Sequence, residues 1–241
     1  MPRIIQVCLV AALGLVVGLA GCGKARKDVL AEYASRGAAK RAELAALVAV
    51  FPPAGAVRAP SAPASLDPKP VYAPEGECNV AFLMFEHLAD PDAKPGFDLL
   101  LDGALLSALQ WTGPKNPMAD SALNESAGDL ARQLDRAFAA RYLVVSRVTR
   151  HEQPTIVDET AFRGGLVELE VFVVDAQSRS VVASFPVSAK PPATVDYLYK
   201  PGEDRKARQA AFAHSTMFSS ARQQIGRQLP QLTGGTFKVN W

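Results

Sequence analysis

The sequence lacks the residue patterns that usually identify an enzyme. Downstream of residue 21 there is no G-x-S-x-G, H-E-x-x-H, Walker or G-x-G-x-x-G pattern, which argues against the common hydrolase, metalloprotease and nucleotide sites. His151 and Glu152 begin like a zinc motif, but Thr155 stands where the second histidine would be, so we expect a solvated turn there. We therefore predict no catalysis, no cofactor and no metal site.

The chain also lacks an excess of charge of either sign. It carries 26 basic and 24 acidic residues, for a formal net charge of +2. Proteins that bind nucleic acid neutralise phosphates with clusters of Lys and Arg, and this balance provides no such surplus. We expect no nucleic-acid partner.

Long apolar runs are missing except at the N-terminus. Arg3 precedes a run of 17 uncharged residues from Ile4 to Ala20, which contains Gly14 and Gly18. A spanning helix needs about 20 apolar residues, whereas a basic start, a short apolar stretch and small residues at its end are typical of a secretory signal peptide. We predict a signal peptide over residues 1–21, with a membrane anchor helix as the alternative.

The end of this run resembles the lipobox of bacterial lipoproteins, in the residues Leu19-Ala20-Gly21-Cys22. The resemblance implies that the Cys22 thiol receives a diacylglycerol, that the peptide is cut before it and that fatty acyl chains such as palmitate anchor the protein. Gly23 in place of aspartate then implies the outer membrane, facing the periplasm. With Cys8 removed and Cys22 lipidated, Cys78 has no partner for an intramolecular disulfide, and we expect it to be a small buried residue.

Two segments precede the predicted globular domain, residues 77–241, which we call the head. Residues 22–51 have helix-forming composition with apolar residues at three-and-four spacing, so we predict a helix, interrupted at Gly37. Residues 52–76 hold seven prolines and predict an extended spacer that could reach about 75 Å. Such a spacer would displace the head from its membrane; the alternative is a segment wrapped over the head.

The head, residues 77–241, is predicted to be a small α/β (α+β) domain. We expect about four strands and three helices in the order βααβββα, with the first two strands parallel and the others antiparallel. Residues 97–111 and a segment capped by Ser126 supply the first two helices, and residues 203–229 supply the last, ending at Pro230. In residues 166–175, apolar residues from Val167 to Val173 alternate with Glu168 and Glu170, which predicts that one face of the sheet is exposed to solvent. Pro186 places its strand near an edge.

This order, together with the lipobox and spacer, weakly resembles a group of periplasmic lipoproteins that includes the curli-secretion lipoprotein and the activators of penicillin-binding proteins. The resembling residues are the apolar strand Val80 to Phe85, the stretch ARYLVVSRV, and VELEVFVVDAQSRSVV. Two consecutive helices depart from the group's order, and no functional residues carry over.

One group of residues is a candidate for ligand binding. Glu86, His87 and Asp90 follow the first strand, at the end of an open α/β sheet where ligands usually bind. A solvated loop is the alternative for this group. His214 lies on a predicted apolar helix face, and we expect it to be a hydrogen-bonded core or interface residue.

Together these features predict a lipid-anchored periplasmic protein that binds another envelope protein, as an assembly factor or activator. The alternatives are an envelope hydrolase or a small-ligand-binding lipoprotein that uses Glu86, His87 and Asp90, and a homo-oligomeric scaffold.

Overall fold

A four-stranded sheet lies at the centre of the computed structural model. Its strands, in spatial order, are β2 (Val80–Met84), β3 (Tyr142–Ile156), β4 (Phe162–Asp175) and β5 (Ser180–Ala189). Strand β2 pairs in parallel with β3, so that Val80 lies opposite Tyr142, and the remaining pairs are antiparallel. The predicted mixed sheet and its strand directions are confirmed.

In the part of the chain that the structure describes, five α-helices and a second, two-stranded sheet surround these strands. The structure describes residues 25–73, 77–97, 99, 102–115, 126–157, 162–191, 202 and 204–237. The signal peptide, Cys22 and Trp241 lie outside them. The helices are α1 (Arg26–Leu47), α2 (Glu86–Ala89), α3 (Ala104–Trp111), α4 (Ala127–Phe138) and α5 (Arg205–Thr233), and β1 (Val71–Tyr72) pairs in parallel with β6 (Thr236–Phe237).

Both faces of the central sheet are covered. Strand residues such as Leu83, Val145 and Phe172 belong to one apolar cluster with α1, α3 and α4, whereas Phe82, Val171 and Phe185 belong to a second cluster with α5. The prediction of a solvent-exposed sheet face is therefore wrong, because helix α1 and the residues that follow it cover that side. Pro186 does lie on an edge strand, β5.

The predicted helix boundaries need three corrections. A one-turn helix, α2, follows β2 directly. Helix α3 begins at Ala104 rather than at Phe97, and Phe97 packs in the cluster with α5 on the other side of the sheet. Helix α5 continues past Pro230 to Thr233 and ends at Gly234, whose φ of 60° is left-handed.

The apolar stripe of α5 also differs from the predicted line. Its buried residues recur every fourth position, whereas Ala207 and Ala211 of the predicted line are exposed. A row of residues at i, i+4 spacing is inclined to the helix axis by about 26°. Because the strands of the sheet are twisted relative to one another, such an inclined row matches the sheet surface better than a row parallel to the helix axis. The buried apolar residues are Ala213, Met217, Ala221, Ile225, Leu229 and Leu232.

Helix α1 is continuous and belongs to the core. Leu44 and Leu47 are fully buried. Gly37 does not interrupt the helix, contrary to the prediction: a Cβ there would lie 2.0 Å from Oγ1 of Thr112, at the end of α3. The glycine allows two helices to approach closely, which local sequence does not reveal.

The proline-rich segment after α1 runs along the head. The Ser61 amide donates to the Ser184 carbonyl oxygen of β5 over 2.7 Å, and the Ala64 amide donates to the Leu232 carbonyl oxygen of α5 over 2.7 Å. Strand β1 follows and pairs with β6. Residues 52–73 are thus the wrapped segment that we considered as the alternative, and they do not hold the head away from α1.

Candidate functional site

The first helix begins only four residues after Cys22, the expected attachment point. Cys22 is outside the described residues, but α1 begins at Arg26 and its first two turns already bury Val29, Leu30 and Tyr33. Three residues of chain span at most about 11 Å, which limits the distance from Cys22 to Ala25. Lipid at Cys22 would therefore hold the head against the membrane rather than on a long spacer.

The described residues contain no helix that is long and apolar enough to cross a membrane.

The group Glu86, His87 and Asp90 lies on and just after α2, but it does not converge on a shared site. Glu86 and Asp90 are exposed, whereas His87 is 2% exposed. Nδ1 of His87 lies 3.4 Å from the Met84 amide, which donates to it, and Nε2 lies 3.2 Å from the Ala93 carbonyl oxygen. Both ring nitrogens therefore have backbone partners, so the ring stabilises the turn after β2. Ligand binding by this group stays a prediction.

The two other histidines flank one buried aromatic ring. His151 lies within β3, not in the expected turn, and its ring centroid is 5.0 Å from that of Phe97; His214 on α5 is also 5.0 Å from Phe97. The two imidazoles are 6.3 Å apart. Burial and the neighbouring His214 lower the pKa of His151, which favours its neutral form at this interface.

No group of three or more His, Cys, Asp or Glu side chains suited to a metal occurs in the part of the chain that the structure describes.

A buried ion pair fastens the proline-rich segment to the sheet. Arg147 of β3 and Glu170 of β4 are 8% and 2% exposed, and Nη2 of Arg147 lies 2.6 Å from Oε2 of Glu170. The Arg147 guanidinium also donates to the carbonyl oxygens of Pro52 and Pro53 at 2.8 and 3.1 Å, and Oε1 of Glu170 accepts from the Val57 amide at 2.8 Å. We call these five residues the clasp.

Aromatic rings complete the surroundings of the clasp. The guanidinium carbon of Arg147 lies 5.2 Å from the ring centre of Phe85 and 5.1 Å from that of Phe172. Burial opposes the charge on Glu170, but hydrogen bonds from Val57 and Arg147 outweigh it and hold the pKa of Glu170 below its usual range. The pair therefore stays charged and hydrogen-bonded although it is buried.

A cavity of about 350 Å³ lies between α3, α4 and the start of β2. Its walls are mainly apolar and include Val80, Leu105 and Trp111, with Arg136 among its few charged residues. Cys78 also lines it; its thiol is only half-buried and donates to the Val80 carbonyl oxygen at 3.0 Å. Cys78 is therefore less buried than we expected. Sequence patterns did not reveal this cavity, because Val80 and Leu105 are indistinguishable from core residues.

The sequence matches no known family model, and no curated protein matches it either. Solved structures that resemble it include a candidate lipoprotein from Caulobacter crescentus CB15 at 15% identity and a TM-score of 0.32, covering 65% of this chain and 92% of that chain. A PelC dodecamer from Paraburkholderia phytofirmans matches at 16% identity and a TM-score of 0.25, covering 68% of this chain and 96% of that one.

A DUF330 protein from Xanthomonas campestris matches at 14% identity and a TM-score of 0.28, covering 72% of this chain and 97% of that chain. Likenesses at these scores carry no conclusion about function or oligomeric state.

Proposed function

We propose that this chain is a lipoprotein of the bacterial envelope, anchored at the outer membrane through Cys22 and facing the periplasm, and that it binds another envelope protein without catalysis. The observation that carries the anchor is the sequence Leu19-Ala20-Gly21-Cys22 directly after an apolar run. The start of α1 at Arg26 supports a head that lies at the membrane surface.

We assign to the partner the described stretches of β3 and β4 that extend beyond their pairing with β2 and β5. Among the described residues, β3 pairs with β2 only as far as Ser146, and β4 pairs with β5 only from Val167 onward, so both strands continue beyond their outer neighbours there. Strand edges without a neighbour offer backbone groups for pairing. Val157, which directly follows β3, is 53% exposed, more than any other large apolar residue that the structure describes.

The anchor is tested by mass spectrometry of the protein purified from its native host. We expect the mature chain to begin at Cys22 and to carry the mass of a diacylglycerol and an N-acyl group. The Cys22→Ala variant should lose this mass and leave the membrane fraction. A native protein that retains residues 1–21 and an unmodified thiol contradicts the anchor.

The partner surface is tested by cross-linking in intact cells. We expect the wild type to recover the same envelope protein repeatedly, and Val157→Asp to reduce that recovery because it replaces the exposed apolar side chain after β3 with a charged one. Gln177→Asp, in the exposed turn between β4 and β5, is the matched control and should recover the partner as the wild type does. Equal recovery by both variants removes the assigned surface.

Cross-links between copies of this chain, together with a multiple of the monomer mass in native mass spectrometry, would instead identify a homo-oligomeric scaffold. A monomeric mass combined with a repeatedly recovered second protein supports the proposal.

A further inference from the structure

Two helix faces with mainly short side chains line the cavity between α3, α4 and β2. Residues at i, i+3, i+4 and i+7 lie on one side of a helix, and the lining residues of both helices follow this spacing. On α3 they are Ala104, Ser107, Ala108 and Trp111, and in and just after α4 they are Gln133, Arg136, Ala137 and Ala140. Because most of these side chains are short, the two helices leave a space that larger residues would close.

The size of this space is typical of a small-ligand site. Protein interiors are close-packed, and few voids within a domain are larger than a water molecule. Pockets that bind small molecules usually measure about 300–1,000 Å³ and have mainly apolar walls. At about 350 Å³ the cavity lies at the small end of this range, so it suits a molecule with one short apolar body.

The charged residues around the cavity balance one another. Its lining contains one acidic and one basic residue, Asp102 and Arg136. Oδ1 of Asp102 already accepts a backbone amide at the start of α3 at 2.9 Å, and Arg136 already has a partner within the chain. The adjoining groove has two residues of each sign, Arg136 and Lys69 with Glu77 and Asp135. A charged ligand would lose its hydration here without gaining an unpaired counter-charge, so the site favours a neutral molecule.

Two uncharged polar side chains of the lining are available for hydrogen bonding. Ser107 is half-buried on α3 and Gln133 is exposed on α4. In the part of the chain that the structure describes, neither side chain hydrogen-bonds to another residue. A hydroxyl group both donates and accepts, so the more buried of the two, Ser107, can pair with an alcohol or a carbonyl group of a ligand.

We propose that this cavity binds a small neutral molecule with one apolar body and one uncharged polar group, such as a medium-chain alcohol. The apolar body fills the space between α3 and α4, and the polar group hydrogen-bonds to Ser107. This site is distinct from Glu86, His87 and Asp90, which follow the opposite end of β2. Binding depends neither on a lipid at residue 22 nor on a protein partner.

Binding is measured by the fluorescence of Trp111 during titration with octanol. The protein is residues 22–241 with Cys22→Ala, so that no attached lipid competes, and with Trp241→Phe, which leaves Trp111 as its single tryptophan. We expect a saturable change with octanol, and at least tenfold weaker binding of octanoate and of octylammonium, which have the same chain length and a charged head. A signal that does not saturate, or binding of either charged probe as tight as that of octanol, overturns the proposal.

Substitutions that fill the cavity localise the apolar body. Ala108→Leu enlarges the wall formed by α3 and should weaken octanol binding at least tenfold, because the new side chain occupies the ligand's space. Ala38→Leu makes the same change at an exposed position of α1 outside the lining, and should alter the affinity less than twofold. Ala137→Leu fills the cavity from α4 and replaces Ala108→Leu if that variant does not fold. A folded filling variant that binds octanol as the parent does excludes this cavity.

The hydrogen bond to the ligand is tested separately. Ser107→Ala should weaken octanol binding at least threefold, which is the effect expected from one hydrogen bond, with an unchanged circular dichroism spectrum. Ser215→Ala, at an exposed position of α5, is the matched control and should bind octanol as the parent does. Equal affinity of Ser107→Ala and the parent contradicts the assigned contact.

Discussion

The N-terminal third of the chain and the rest of it differ in the sequence patterns that lead to their structure. Residues 77–237 contain the central sheet and most of its helices, and their hydrophobic periodicity predicted most of these elements. Residues 26–73 hold one helix of mainly polar and small residues and a proline-rich segment, which suggested an attachment to the head. The structure nevertheless buries Leu44 and Leu47 of this third as deeply as the centre of the sheet.

This difference shows how a segment with little apolar surface becomes part of a fold. Prolines remove backbone donors, so residues 52–73 cannot enter a sheet interior, but the donors that remain bind the head at separate points. Ser61 contacts β5, Ala64 contacts α5 and Val57 contacts Glu170. These hydrogen bonds, one buried ion pair and the separate apolar contacts of Val57, Leu66 and Tyr72 hold the segment, whereas a helix would use a continuous apolar stripe.

The largest effect is expected from breaking the clasp. Arg147→Ala should lower the free energy of unfolding by about 3–5 kcal/mol, because it leaves the Glu170 charge buried without its partner. Arg150→Ala removes an exposed pair with Glu152 and should cost about 0–1 kcal/mol. Urea unfolding measures both, and a loss below about 1 kcal/mol for Arg147→Ala would show that the segment is only loosely attached.

The next effect compares matched leucines of the two regions. Leu47 on α1 and Leu134 on α4 are both fully buried in the same apolar cluster. Leu47→Ala and Leu134→Ala should each cost about 2–5 kcal/mol, since each removes a buried side chain and leaves a cavity. Unfolding of the two variants under the same conditions gives the comparison. A much smaller cost at Leu47 would separate α1 from the core.

A smaller effect is expected from adding a methyl group to α1. Gly37→Ala should cost about 1–3 kcal/mol, because the clash with Thr112 exceeds the gain in helix propensity. Gly128→Ala on α4 is the matched control, since its new Cβ would lie 3.8 Å from the nearest contacting atom, Oγ of Ser126. It should stabilise by up to about 1 kcal/mol. Thermal unfolding measures whether each variant is more or less stable than the wild type. Stabilisation by both variants contradicts the close helix contact.

The smallest effect concerns pH. The pKa of Glu170 is lower in the folded chain than its ordinary value of 4.5. Its ionisation therefore adds stability above about pH 4.5, and this contribution is lost as the pH falls through the lower folded pKa. Urea unfolding between pH 7 and pH 3 should show a shallower decline for Glu170→Gln than for the wild type. Identical slopes would mean that Glu170 is not held as an anion in the clasp.

Local sequence patterns predicted the features that residues close together in the sequence determine. The alternation from Val167 to Val173 gave β4, and Ser126 was placed correctly at the start of α4, where its side chain accepts the Asp129 amide. The burial of Glu170 could not be predicted, because the same alternation fits a solvent-exposed face and a face that a distant segment covers. Its cover comes from Val57, 113 residues earlier in the chain.

The candidate sites show the same limit. The position of His87 after β2 was correct, but its burial depends on how the turn to Ala93 folds back. The cavity beside Arg136 is a gap between three elements, and a gap leaves no pattern in the sequence.

The most direct test of the account is whether the N-terminal third is required for the head to fold. Residues 24–241 and residues 77–241 are compared by circular dichroism during urea unfolding. We predict one cooperative transition for residues 24–241 and none for residues 77–241, which lack Leu44, Leu47 and the backbone partners of Arg147. A cooperative transition of residues 77–241 at the same midpoint would contradict it, and would restore a head that is joined to its anchor only by a spacer.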